Sequence, residues 1–179
     1  MAKSANNRAT YPRGDTIKEQ NERAIGDKFF TSYYNGHHAT NFTYKGRPDQ
    51  APDLTYGDGD AELNIEVATA YYDCADAESR WATARGLTHT VVWWSGVNFE
   101  DQVVGNVNAV IERKCRYDYG APCLLVVHVR PPLTTIEEMR ERLGDIRLPS
   151  GTPFDGIYLS GDFPDSYSCW RIDTSPCAG

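Results

Sequence analysis

The spacing of apolar residues along the chain predicts alternating helices and strands. A helix is predicted over residues 16–34, because Thr16 and Glu19 have the spacing of a capping box and apolar residues then recur at helical intervals. Asn35-Gly36 is typical of a helix end, so the helix is expected to stop there. The apolar residues at helical spacing are Ala24, Ile25, Phe29 and Phe30.

The next segment has the two-residue period of β-strands and predicts a hairpin. Leu63, Ile65 and Val67 alternate with polar residues in a strand predicted over residues 62–71, so one face is apolar and the other begins polar. A strand at 53–56 precedes it across a tight turn formed by residues 57–60. A short aromatic strand at 41–45 comes before both.

The remainder of the chain predicts further strands alternating with helices. This order predicts an α/β fold with a mixed central β-sheet flanked by helices. The 179 residues fit one ordinary domain, so a single domain is expected over 15–179 after a flexible N-terminal arm at 1–14. The remaining predicted helices are 73–85, 98–117 and 134–143, and the remaining predicted strands are 88–94, 123–129, 154–160 and 169–172.

Composition and charge restrict the environment and the partners. The net charge of -7 argues against sequence-independent nucleic-acid binding, although a local basic face can coexist with an acidic remainder. The apolar runs are far shorter than the roughly 20 residues that span a bilayer, so no membrane partner is expected. The five cysteines form no Cys-x-x-Cys pair, and the first fifteen residues are polar, with Pro12 and Gly14, unlike a secretory leader. A reducing, cytoplasmic location is predicted.

Two acidic residues of the hairpin carry the strongest chemical signal. Asp53 opens one strand and Glu66 lies inside its partner, so pairing across the hairpin brings the two carboxylates together. We expect them to share a polar pocket, open to solvent, at the edge of the sheet. Two such charges favour a cation between them, and Mg²⁺ or Mn²⁺ prefers oxygen ligands. Asp49 is the alternative to Asp53, which is preferred because it leads directly into the strand, and Glu66 also fits a solvated strand residue.

The segment Pro52-Asp53, followed in the next strand by Glu66-Val67-Ala68, resembles the motif of the PD-(D/E)XK nuclease superfamily. The resemblance covers roughly residues 16–160, and Glu22 is similar to the acidic residue that many of these nucleases carry before their first strand. It implies a restriction-endonuclease-like core that hydrolyses DNA phosphodiester bonds with Mg²⁺ or Mn²⁺. The implied metal ligands are Asp53, Glu66 and the backbone carbonyl of Val67. DNA is then the expected partner, and a homodimer is an arrangement compatible with this interpretation.

One departure from the family pattern divides the functional hypotheses. The motif ends in a lysine two residues after the glutamate, and this chain has Ala68 there. Such a lysine would orient the attacking water and stabilise charge at the phosphate. Either another cation replaces it or the site is catalytically inactive. Lys45 of the first strand is preferred to Arg80 of the following helix, because its flexible stem can project an ammonium group across the hairpin. The inactive form would be a module that binds nucleic acid or a protein partner.

Aromatic pairs are a further signal, with two interpretations. Trp93-Trp94 and Tyr71-Tyr72 could stack on nucleic-acid bases, although burial at strand ends is the commoner fate of such pairs. The adjacent His37 and His38 are expected in a solvated polar connection.

Overall fold

Six strands form one mixed sheet in the computed structural model of the chain, which describes residues 16–71, 74–87, 99–131, 134–164 and 166–173. In chain order the strands are β1 (Thr43–Gly46), β2 (Leu54–Asp58), β3 (Ala61–Ala70), β4 (Cys123–Val129), β5 (Gly156–Asp162) and β6 (Tyr167–Arg171). They lie side by side in that same order. β1, β2 and β3 are antiparallel, β3, β4 and β5 are parallel, and β6 runs antiparallel to β5.

Helices flank this sheet, which confirms the predicted α/β class. They are α1 (Thr16–Phe29), α2 (Asn35–His38), α3 (Cys74–Ala84), α4 (Phe99–Lys114) and α5 (Ile136–Glu141). α5 begins at a capping box, in which Thr135 Oγ1 accepts the Glu138 N–H and Glu138 Oε2 accepts the Thr135 N–H. None of the helices in the described ranges is long and apolar enough to cross a bilayer. The predicted arm at 1–14 and the predicted strand at 88–94 lie outside those ranges.

The predicted end of the first helix at Asn35 is wrong. A π-helical turn at Phe30–Tyr34 and then α2 continue the helix to His38, and it ends at Ala39, which has a positive φ of 50°. Asn35 keeps a helical backbone conformation, with φ −60° and ψ −40°. Its side chain binds the returning chain: it accepts the Phe42 N–H at 2.9 Å and donates to the Phe42 carbonyl at 3.1 Å. His37 and His38 are therefore exposed helical residues instead of loop residues.

The two faces of β3 pack into different hydrophobic layers. Ile65 and Val67 belong to the layer beneath α1, whereas Ala68 and Ala70 belong to the layer covered by α4 and α5. Because strand residues alternate between faces, Glu66 points to the same side as Ala68. This face was expected to be polar and wet, but Ala68 is only 7% exposed and Glu66 is fully buried.

The register of β2 against β3 places Asp53 beside Glu66. The pairing of β2 with β3 ends at Leu54 opposite Ile65, so Glu66 lies just beyond the last antiparallel pair. On its other side, Glu66 pairs with Leu125 of the parallel strand β4. Asp53 directly precedes Leu54, and the antiparallel register therefore delivers it to the level of Glu66, as the hairpin pattern predicted.

Helix α1 approaches the sheet so closely at Gly26 that we expect a side chain there to be destabilising. A Cβ at Gly26 would stand 2.6 Å from Tyr56 Oη and 2.9 Å from Leu54 Cδ1. Gly26→Ala should lower the free energy of unfolding by about 2 kcal/mol, the usual cost of overpacking. Gly105→Ala on α4 is the matched control, because nothing lies within 4 Å of its added Cβ, and it should stabilise the helix by about 1 kcal/mol. Urea denaturation of both variants measures the difference, and equal effects would contradict the packing argument.

Candidate functional site

Three buried carboxylates from three separate elements lie around the end of β2, and the charges of the other two both act on Asp53. Glu22 comes from α1, Asp53 precedes β2 and Glu66 lies in β3, and we call this group the carboxylate site. They are 5%, 2% and 0% exposed, respectively, so the expected solvent-open pocket is wrong. Asp53 Oδ2 accepts the backbone N–H of Val67 at 3.0 Å, which places its carboxylate beside the residue that follows Glu66.

A lysine that sequence reasoning overlooked pairs with Glu66. The Nζ of Lys114, the last residue of α4, lies 2.5 Å from Glu66 Oε1. The Lys114 side chain is only 10% exposed, and its backbone carbonyl accepts the Tyr119 hydroxyl. A sequence signal for it exists, because Lys114 continues the i, i+3, i+4, i+7 stripe of buried residues on α4. The preceding members of that stripe are Val107, Val110 and Ile111.

An arginine bridges the other two carboxylates. Arg47 follows β1, and its guanidinium lies 2.7 Å from Glu22 Oε2 and 3.3 Å from Asp53 Oδ1. Lys18 also contacts Glu22, at 3.0 Å. Burial alone would lower the pKa of Arg47, but the hydrogen bond to Glu22 and the charges of Glu22 and Asp53 raise it overall. The guanidinium is therefore firmly cationic.

The formal charges of the site balance, yet the ionised form of Asp53 is disfavoured. The three carboxylates face three side-chain cations, which are Arg47, Lys114 and Lys18. Burial, together with the neighbouring charges of Glu66 and Glu22, raises the pKa of Asp53 to about 7, against the opposing effects of Lys114 and the Val67 N–H. Near neutral pH, Asp53 is therefore poised between its protonated and ionised forms.

The two cations expected from the sequence lie elsewhere. The stem of Lys45 runs over Gly57, so closely that a Cβ on that glycine would overlap Lys45 Cε. Gly57 lies four residues along the strand from Asp53, or about 13 Å. Arg80 pairs with Asp76 at 2.5 Å and donates to the Arg130 carbonyl, beyond the other end of β3. The cation that contacts Glu66 is instead Lys114.

The other residues singled out from the sequence have clear placements. Asp49 is exposed, whereas Asp53 is buried in the site. Tyr71 is half-buried and lines a cavity of about 80 Å³ together with Arg80 and Trp81. Tyr72, Trp93 and Trp94 lie outside the described residues, so their stacking remains a prediction.

The donor chemistry of the carboxylate site suits a hard divalent ion, although its side chains are not preassembled around one. Within the described parts of the chain, no three His, Cys, Asp or Glu residues are grouped so that they could hold a metal ion. The reason lies in the cations, since Arg47 stands between Glu22 and Asp53 while Lys114 is bound to Glu66. The donors are nevertheless all carboxylate oxygens, which are the ligands that Mg²⁺ and Mn²⁺ prefer.

A second polar cluster combines a serine, a histidine and an aspartate, but its geometry does not suit nucleophilic catalysis. His128 Nδ1 lies 3.0 Å from Ser160 Oγ, and His128 Nε2 lies 3.6 Å from Asp162 Oδ2. Ser160 and His128 are 0% and 1% exposed, and His128 Nε2 accepts the Arg130 Nε–H at 3.2 Å, so in the neutral ring Nδ1 carries the proton and cannot act as the base for Ser160. Burial also lowers the pKa of His128, against the opposing effect of Asp162. This cluster is therefore best explained as a buried hydrogen-bond network between β4 and β5.

Comparison with known proteins yields no relative for this chain: no family model matches it, and neither a curated protein nor a solved structure does so. The geometry of the carboxylate site is thus the basis on which a function can be argued.

Proposed function

We propose that the chain is a metal-dependent, nuclease-like protein that hydrolyses DNA phosphodiester bonds at the carboxylate site. In this proposal Asp53, Glu66 and the backbone carbonyl of Val67 hold Mg²⁺ or Mn²⁺ within a restriction-endonuclease-like core. DNA is the partner, a homodimer is compatible with this role, and the cytoplasm is the proposed location. The single observation that carries the proposal is the contact between Lys114 and Glu66.

Lys114 supports the proposal because it supplies the charge that Ala68 lacks. Ala68 lies on the same face of β3 as Glu66 and packs beneath α4. An ammonium group from α4 therefore reaches, through space, the carboxylate that a lysine at position 68 would accompany. A lysine can enter the site from a different element because the chemistry requires its Nζ position and not its place in the sequence.

Each site residue has a defined part in the proposed hydrolysis. The divalent ion, when bound, would polarise the phosphate and lower the pKa of the attacking water. Glu66 holds the Lys114 ammonium by a charge-assisted hydrogen bond, so that it can orient the water and stabilise negative charge on the phosphate. The Val67 N–H fixes one oxygen of Asp53 and leaves its carboxylate oriented towards the site. Glu22 anchors the Arg47 guanidinium beside it.

A second candidate function is an inactive nuclease-fold module that binds nucleic acid or a protein partner. The observation that favours it is the charge balance, since Arg47, Lys114 and Lys18 already compensate the three carboxylates. A site neutralised in this way is stable without a metal ion.

Cleavage assays separate the two candidates. With Mn²⁺ and supercoiled plasmid DNA, we expect the wild-type protein to nick and Lys114→Met to nick about 100-fold more slowly, the typical cost of losing one charge-stabilising group. Lys45→Met is the matched control and should retain the wild-type rate. Equal losses in both variants would contradict the role of Lys114. No cleavage by the wild type on double-stranded or single-stranded DNA would favour the inactive module.

A further inference from the structure

An arginine closes the solvent side of the carboxylate site. The Arg47 side chain is 22% exposed, whereas the Asp53 and Glu22 side chains that it contacts are 1% and 7% exposed. Arg47 therefore lies between bulk water and the two carboxylates. By contrast, Lys114 is 10% exposed and pairs with Glu66, which is completely buried. Of these two cations, Arg47 has the more direct route into solvent.

The Arg47 guanidinium already has another partner within reach. Its Nε lies 4.0 Å from Glu19 Oε1, and the Glu19 side chain is 39% exposed. Glu19 precedes Glu22 by three residues on α1, so both carboxylates lie on one face of the helix. A guanidinium carries five N–H donors in a planar fork and can bind two carboxylates at once. Arg47 can therefore exchange Asp53 for Glu19 and remain bound to Glu22.

We propose that Arg47 is a displaceable counter-ion that gates the carboxylate site against divalent cations. Arg47 and the divalent ion compete for Asp53, and the guanidinium turns towards Glu19 when the ion binds. This inference rests on the proposed function, since it takes Asp53 and Glu66 as ligands of a divalent ion. Buried carboxylates repel one another unless a cation lies between them, so the metal-free protein needs a side-chain cation in the site. That cation must move away when a divalent ion takes its place.

The gate makes a direct prediction for metal affinity. In isothermal titration calorimetry with Mn²⁺ at pH 8, Arg47→Gln should bind the ion about tenfold more tightly than the wild type, because no charge-assisted hydrogen bond to Asp53 must be broken. Arg23→Gln is the matched control. It removes the same charge from the residue next to Glu22, but Arg23 pairs with Asp27 and lies over the Tyr44 ring, so its Mn²⁺ affinity should stay at the wild-type value.

Two further variants address folding and the exchange itself. Arg47→Lys keeps a charge but loses the planar fork, so its Mn²⁺ affinity should fall between those of the wild type and Arg47→Gln. Glu19→Gln removes the alternative partner at an exposed position and should weaken Mn²⁺ binding a fewfold, at about the scale of a surface ion pair. Thermal unfolding without metal confirms that each variant is folded before titration.

The possible outcomes distinguish failure of the gate from failure of the metal site. Equal Mn²⁺ affinity in the wild type, Arg47→Gln and Arg23→Gln would overturn the gate and leave the metal site standing. Mn²⁺ binding by Arg47→Gln but not by the wild type would support the gate, because Arg47 would then exclude the ion completely. No binding by the wild type or by Arg47→Gln would overturn the metal site and the gate together. Adding Asp53→Asn to Arg47→Gln must abolish binding, and retained binding would place the ion elsewhere and overturn the gate.

Discussion

Lys114→Met is expected to lower the free energy of unfolding by about 3–5 kcal/mol, since it leaves Glu66 buried without the ammonium that neutralises it. Lys114 Nζ lies 2.5 Å from Glu66 Oε1, and the Glu66 side chain has no exposed surface. Methionine retains most of the aliphatic volume of lysine, so the effect reports the lost charge more than a cavity. Urea denaturation at pH 7 measures it.

Arg116→Met provides the matched control for this experiment. Arg116 pairs with Glu112 at the same distance of 2.5 Å, but the two side chains are 69% and 65% exposed. Its loss should cost less than about 1 kcal/mol, as for surface ion pairs in general. The double variant Lys114→Met/Glu66→Met removes both charges and should recover much of the stability lost in Lys114→Met. Similar costs for Lys114→Met and Arg116→Met would show that the buried pair is not energetically distinct.

The stability of the protein is expected to fall as the pH rises from about 4 to 8, because Asp53 must ionise inside the fold. Burial, together with Glu66 and Glu22, raises the pKa of Asp53 from 3.8 to about 7. The folded state therefore binds this proton more tightly than the unfolded state does. Its contribution is complete below about pH 4 and is lost as the pH passes through about 7. At about 1.4 kcal/mol for each pKa unit, the loss is on the order of 4 kcal/mol.

Asp53→Asn isolates this contribution. Asparagine resembles the protonated carboxyl group and can still accept the Val67 N–H, so the variant should match the wild type within about 1 kcal/mol at pH 4. At pH 8 it should be more stable than the wild type by about 3 kcal/mol. Asp60→Asn, at an exposed residue of the hairpin turn, controls for the change in net charge. A constant difference between Asp53→Asn and the wild type across this pH range would contradict the assignment.

Much of the carboxylate site was predictable because it depends on local register. The tight turn and the alternation of Leu63, Ile65 and Val67 set the pairing of β2 with β3, and that pairing brings Asp53 to the level of Glu66. Glu22 also entered the prediction, through the resemblance to nucleases that carry an acidic residue before their first strand. In the structure, the Arg47 guanidinium links Glu22 to Asp53.

The cations of the site could not be predicted in the same way. The sequence favours Lys45 because it lies on the strand before the hairpin and has a flexible stem, but that stem covers Gly57. Lys114 is 48 residues from Glu66 and reaches it only because α4 packs across the face of β3 that carries Ala68. Arg47 depends on where the chain turns after β1, which no periodic pattern encodes.

The sequence by itself determined the α/β class and the approximate positions of most described elements, because hydrophobic periodicity reports which face of each helix or strand is buried. It also determined the Asp53–Glu66 neighbourhood, since a hairpin register is set by a few adjacent residues. Only the tertiary structure decided that these carboxylates are buried and that Lys114 and Arg47 are their partners. The physical reason is that burial and long-range ion pairs arise only when separate elements pack together. A periodic pattern shows which face of a helix or strand is apolar, but it does not show which other element packs against that face.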